Sequence, residues 1–193
     1  MDVLEFPDTA GWDAWLAAHH AERPEAWLRI GKRHSGVALI AIADALDVAL
    51  CHGWIDGQRR AYDDVSFLQR YSPRRPGSSW SKVNVGKVDA LVAAGRMRPA
   101  GLSEVAAAKA DGRWAAAYEP QRTATVPPDL AAALAGDARA HAAFERLGRS
   151  DRYAVILSLL KARTAETRAR VLAGAVARLA EHEPARRPTG PTG

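Results

Sequence analysis

The stretch Gly-Trp-Ile-Asp-Gly-Gln-Arg-Arg, residues 53–60, places an indole, a carboxylate and two guanidiniums within eight positions. Before it, Ile42, Leu46, Ala49 and Leu50 recur at helical spacing, so the sequence predicts a helix that closes at Gly53, a residue free to adopt the left-handed cap. Trp54-Ile55 then reads as a short strand turned at Asp56-Gly57, and Val65–Tyr71 as a further strand. Upstream, Ala26-Trp27-Leu28-Arg29-Ile30 alternates with period two and predicts a third strand. These three runs, close together in the chain, predict a small three-stranded antiparallel sheet.

The flanks are helical. Asp8 or Thr9 caps a first helix whose Trp12, Trp15, Leu16 and His19 fall at i, i+3, i+4 and i+7. Ser81 caps a helix carrying Val88, Leu91 and Val92 that Gly95 ends, and Pro99 opens another that stops at Asp111-Gly112. Trp114 and Tyr118 are spaced as an i, i+4 aromatic pair. Arg122–Pro128 has linker composition. After it come helix starts at Pro128 or Asp129, Asp137 and Ser150, and a last helix from Thr164 with Val171, Leu172, Ala175 and Leu179 on one face. The expected architecture is α+β over residues 1–121, an all-helical C-terminal subdomain over 122–183, and a disordered tail over 184–193.

Composition narrows the function classes. With 48% hydrophobic residues among 193, much of it alanine, the chain can bury a core. A formal net charge of +5 favours anionic partners. A single cysteine, Cys51, excludes an internal disulfide framework and a four-thiolate zinc site. The apolar run VALIAIADALDVAL is broken by Asp44 and Asp47, and the first residues lack the basic and apolar regions of a signal peptide; the expectation is a soluble cytoplasmic protein.

Familiar reaction centres are absent from the sequence. His19, His20, His34, His52, His141 and His182 form no His-x-x-x-His pair, and adjacent Cys51 and His52 diverge on a helix, so no metal or cofactor is expected. Cys51, in an apolar stripe near a helix C-terminus, reads as a buried and inert thiol. No Gly-x-Ser-x-Gly elbow, Gly-x-Gly-x-x-Gly turn or Walker loop occurs.

The informative segment is basic and aromatic. Across 58–87, Arg59, Arg60, Arg70, Arg74, Arg75, Lys82 and Lys87 face only Asp63 and Asp64, with Tyr62, Phe67, Tyr71 and Trp80 interleaved. Guanidinium forks hold phosphate or carboxylate and stack on rings. Residues 72–84 form a loop into a helix N-terminus, where free N–H groups favour anions and Ser78, Ser79 and Ser81 add hydroxyls. The plainer alternatives are solvated arginines, a core Trp80 and an Asx turn at Asp56-Gly57. Arg163, Arg168 and Arg170, beside Glu166, suit a solvated, salt-bridged face better than a second site.

Five motifs carry a resemblance: GWIDG (53–57), SPRRPGSSWSKVN (72–84), AGRMRPAGL (94–102), AKADGRWAAAY (108–118) and ARTAETRAR (162–170). Together, from about Trp12 to about Glu181, they resemble the YdeI/OmpD-associated, or bacteriocin-protection, family. That family commonly has an aromatic residue where this chain has His52, which argues against His52 as an invariant base. It commonly has a second basic residue in place of Val171, which weakens a phosphate role for the last helix. The resemblance implies an association with antimicrobial resistance and envelope stress, without implying a reaction.

Three functions follow as expectations. The first is binding of a small anionic or amphipathic molecule in a pocket of Trp54, Asp56, Arg59, Tyr71, Arg74, Trp80, Ser81 and Asn84, with Arg74→Ala and Trp80→Ala abolishing binding while the fold survives. The second is nucleic-acid binding through the basic-aromatic segment. The third is an enzyme using Asp56 as general base, with no fixed-spacing partner in evidence.

Overall fold

The computed structural model describes residues 2–181. The chain divides between Ala117 and Tyr118 into two compact units, a few residues before the expected linker. The segment expected as a tail, 184–193, lies outside the described residues.

The first unit is α+β. In chain order it comprises β1 (Val3–Leu4), α1 (Thr9–His19), β2 (Ala26–Gly31), α2 (Ile42–Cys51), β3 (Trp54–Ala61), β4 (Ser66–Pro73), α3 (Lys82–Ala93) and α4 (Pro99–Ala110). The sheet has four strands in the order β1-β2-β4-β3, and β1 runs parallel to β2. It is therefore mixed, where the sequence predicted three antiparallel strands. The added strand is only two residues long, too short to show a period, and its pairing of Val3 with Trp27 and Leu4 with Leu28 is a tertiary event.

The second correction concerns the opening stretch. Asp56-Gly57 is no turn: β3 runs through it for eight residues to Ala61. The hairpin turns instead at 62–65, where Asp63 Oδ1 accepts from the N–H groups of Val65 and Ser66 and from the Ser66 hydroxyl. Arg29 donates to the other carboxylate oxygen at 2.6 Å. These bonds, those from Ser66 foremost, hold the Asp63 carboxyl down at about 2.

Local chemistry sets the helix limits. Asp8, not Thr9, caps α1 by accepting from Gly11 N–H at 3.0 Å, and Ser81 caps α3 by accepting from Asn84 N–H. Gly53 takes φ +75° after α2, a conformation that other residues rarely adopt. Arg98 N–H then donates to the Cys51 carbonyl, and Gly101 lets α4 lie directly on the end of α2. A β-carbon at Gly101 would stand 2.2 Å from that same carbonyl oxygen.

Two buried clusters fill the unit. Trp12, Leu16, Leu28, Ile30, Val48, Trp54 and Tyr71 pack between the sheet and α1 and α2. Leu50, Cys51, Trp80, Val88, Leu91 and Val105 form the other, among α2, α3 and α4. Trp114 lies in a run of turns and not in a helix, so the spacing to Tyr118 has no helical meaning; its ring meets Trp80 at 4.8 Å between centroids.

The second unit is helical: α5 (Pro128–Ala135), α6 (Ala138–Arg146), α7 (Arg149–Leu160) and α8 (Ala165–Glu181). Its core is Leu130, Leu134, Phe144, Ile156, Leu159 and Leu179. Asp137 caps α6, accepting from the N–H groups of Arg139 and Ala140. Arg168, in the basic cluster of the last helix, is spent on a two-point pair with Asp129 at 2.6 and 2.9 Å, as the salt-bridged reading of that cluster expected. Among the described residues, no helix is long and apolar enough to cross a membrane.

Candidate functional site

The site is built on an irregularity in β3. Opposite β4, Asp56 pairs with Tyr71 and Arg59 with Gln69, so three steps on one strand answer two on the other. That extra residue is a β-bulge, and it changes which way side chains face. In a regular strand Asp56 and Arg59 would point to opposite faces. With the bulge both share the face of Gln69 and Tyr71.

Gln69 makes the bulge tolerable. Its side chain is buried, and its amide donates to the carbonyls of Gly57 at 3.0 Å and Gln58 at 3.3 Å. Carbonyls left unpaired in a disrupted ladder would otherwise destabilise it. The amide oxygen accepts from Arg59 Nε at 3.3 Å, and the Arg59 guanidinium lies 4.3 Å from the Phe67 ring centre. One glutamine thus closes the bulge and aims an arginine.

The charges around Tyr71 form one electrostatic group. Tyr71 is fully buried, and its hydroxyl has no hydrogen-bond partner among the described residues. Burial pushes its pKa up, the Asp56 charge pushes it further, and Arg59 opposes both. Surrounding protein likewise raises the Asp56 carboxyl, against the pull of Arg59 and Arg74. Asp56 keeps an exposed surface, so solvent tempers that upward push.

Arg74 is buried and extends the group to the next element. Its guanidinium sits 3.8 Å from the Trp80 ring centre and donates to the Ser79 carbonyl at 2.8 Å. Arg113, also buried, donates to the Ser78 carbonyl at 3.1 Å and is held by Asp111. Two arginines therefore staple the loop before α3. The indole N–H of Trp80 has no hydrogen-bond partner among the described residues.

Of the eight residues expected in one pocket, Asp56, Arg59, Tyr71, Arg74 and Trp80 form a connected chain of contacts and charges. Trp54 is on the same strand but packs edge-on against Trp12 and donates to the His20 carbonyl, so the two expected indoles lie in separate clusters. Ser81 and Asn84 secure the start of α3 through the capping bond. Trp80 is 2% exposed, which overturns the expectation that Trp80→Ala spares the fold; truncating a buried indole costs about 3–5 kcal/mol.

A second polar cluster escaped sequence reading. Asp13 on α1 accepts from Arg98 and from His52 Nε2, the latter at 2.8 Å, and His52 Nδ1 is buried without a partner. A cavity of about 320 Å³ borders Asp13, Cys51, Arg96 and Arg98. Burial pushes the Cys51 thiol up, in keeping with an inert cysteine. The signal available was Asp13 on the first amphipathic helix, whose partners are 39 and 85 positions away. Gln69 could have been noticed as an amide in an otherwise apolar strand register.

Residues 4–104 match the family described as a domain of unknown function, DUF8412, and the chain belongs to that family. Residues 123–182 match the family described as bacteriocin-protection, YdeI or OmpD-associated. That resemblance therefore holds over the second unit. GWIDG, SPRRPGSSWSKVN and AGRMRPAGL fall within the stretch matched by the domain of unknown function. No curated protein and no solved structure matches the chain.

Proposed function

We propose that the first unit binds a small molecule through an anionic group held by Arg59 and Arg74, with a polar atom of the ligand meeting the Tyr71 hydroxyl. One observation carries this reading. The bulge turns Arg59 and Asp56 onto the face of a buried tyrosine whose hydroxyl has no partner among the described residues. An unpaired buried hydroxyl costs about 1–3 kcal/mol, and such groups concentrate where something else completes the bond. Phe67 and Trp80, beneath the two guanidiniums, supply the apolar body of the site, and the Asp56 charge attracts both arginines. Arg59 is exposed, so its guanidinium is the part of the group that meets a ligand arriving from solvent.

The description of the family matched by the second unit, bacteriocin-protection, supports a role in resistance to an antimicrobial compound, and binding of that compound by the first unit would sequester it. Nucleic-acid binding has less support. Base stacking needs open ring faces, and Trp27, Phe67, Tyr62 and Trp80 each already carry an arginine of this chain. The raised Asp56 carboxyl leaves room for general-base chemistry, but Arg59 and Arg74 both pull it back towards the carboxylate.

The test is tryptophan fluorescence against nucleotides, oligonucleotides and small-molecule and peptide antibiotics at two salt concentrations. A saturable change with one small anionic compound is expected, weakened about tenfold or more in Arg59→Ala and in Tyr71→Phe. Tyr71→Phe removes the unpaired hydroxyl, so the free protein should hold or gain about 1 kcal/mol of stability. Unchanged affinity in both variants would sink the site. A response confined to oligonucleotides and collapsing with salt would move the protein to the nucleic-acid class.

A further inference from the structure

We infer that the second unit carries its own anion site, fitted to a phosphate group of a small phosphorylated molecule. A cavity of about 460 Å³ lies beside the start of α7, lined by Arg122, Arg149 and Arg152 together with Tyr153, Leu147 and Ile156. That volume suits a small ligand. Among the described residues, no carboxylate lines it.

The contrast with Arg168 is what makes this arrangement informative. Arg168 is neutralised by Asp129 in a two-point pair, so this unit does pair its structural arginines. Among the described residues, Arg122 and Arg149 have no ion pair, and both are exposed. Arg152 is only partly compensated. One of its terminal nitrogens donates to the Glu145 carbonyl at 2.6 Å and stands 3.4 Å from that residue's carboxylate. Its Nε is buried with no hydrogen-bond partner among the described residues, while its guanidinium lies 5.3 Å from the Phe144 ring centre.

Three guanidiniums around one cavity repel one another, and the repulsion grows as solvent is excluded. A doubly charged anion turns that repulsion into attraction, and forked donors match its oxygens in two-point geometry. Tyr153 does not compete for the ligand, because its hydroxyl donates to the Glu119 carbonyl at 2.9 Å. Its ring, with Leu147 and Ile156, forms an apolar wall for the body that carries the phosphate. The unpaired first N–H groups of α7, whose N-cap Gly148 offers no side chain, add to the site without defining it.

Isothermal titration of the full chain with inorganic pyrophosphate, and with sulfate at matched ionic strength, tests the inference. One pyrophosphate per chain is expected. Arg122→Ala and Arg149→Ala should each weaken binding about tenfold or more, and Arg149→Lys should restore part of the loss. Sulfate binding more weakly than pyrophosphate supports phosphate chemistry; equal binding reduces the site to general anion attraction and overturns it. Arg170→Ala, at an exposed arginine of α8 that does not line the cavity, should leave this binding untouched, which separates the site from attraction to a basic surface at large. No heat at millimolar pyrophosphate, or affinity unchanged in the Arg122→Ala/Arg149→Ala double variant, also overturns it. Both arginines are exposed, so a circular dichroism melt should show the variants folded.

Discussion

The two units bury different chemistry. The first packs Trp12, Trp54, Tyr71 and Trp80 at its centre; the second packs leucines and an isoleucine around Phe144. Indoles and phenols bring polar atoms into a core, and each needs a partner. In the first unit the Tyr71 hydroxyl and the Trp80 N–H have none among the described residues, nor do His52 Nδ1 and Ser78 Oγ. In the second unit the one such atom among the described residues is Arg152 Nε, at the edge of a cavity. The lesson is that the first unit leaves unpaired polar atoms inside its fold, whereas the second leaves one at the edge of a cavity.

Truncating a central aromatic in each unit gives the largest effects. Trp54→Ala and Phe144→Ala should each cost about 3–5 kcal/mol. Hydrogen exchange would show where the loss falls. Trp54→Ala should strip protection from α1, α2 and the sheet first, because Trp54 meets Trp12 and Trp15 and its N–H is bonded to the His20 carbonyl. Phe144→Ala should do the same to α5–α8. Protection lost uniformly along the chain in either variant would break the comparison, showing one cooperative core.

A glycine in each unit sharpens it at a smaller scale. Gly101→Ala forces a β-carbon onto the Cys51 carbonyl at 2.2 Å, and backbone offers no easy retreat. Overpacking of this kind costs about 1–3 kcal/mol or more. At Gly136, in right-handed helical conformation with φ −81°, the nearest atom to an added β-carbon is 3.5 Å away. Gly136→Ala should therefore be neutral or gain about 0.4–1 kcal/mol by restricting the unfolded chain. Urea midpoints of the two variants decide it. Equal losses would mean that the tight α2–α4 contact carries no special constraint.

How much was legible divides along the same line. Helix starts and stops could be read because caps are local: Asp8, Ser81, Pro99 and Asp137 each act within a few residues. The strands were legible where they alternate. β1 and the bulge were not, because a two-residue parallel strand and a register shift exist only through their partners. The site shows the same split. Arg59, Tyr71, Arg74 and Trp80 could be singled out by residue type, but whether Asp56 and Arg59 face one way depends on a bulge that local sequence does not encode. Trp54 lies in the buried cluster of Tyr71 and apart from that of Trp80, a separation of the two indoles that strand spacing alone does not encode.

The smallest expected effect lies in the unpaired polar atoms themselves, and pH reads it out. Burial pushes the His52 pKa below its ordinary 6.5; Asp13 opposes that, while His20 and Arg98 add to it. The folded protein thus holds His52 neutral at pH values where the unfolded chain has begun to take up a proton. Over that interval the unfolded state binds more protons, so stability falls as pH drops through 6.5 towards the lowered value. Asp13 acts in a separate, more acidic window. Although burial raises its carboxyl, the bonds from Arg98 and His52 lower it overall, so its contribution is present above 3.8 and lost as pH falls further. His52→Gln keeps an N–H donor for Asp13 and abolishes the charge. Its urea midpoint should be flat between pH 7 and 5, where the unmodified chain declines. A decline of equal slope in the variant would place the proton uptake elsewhere and leave the buried His52 as packing alone.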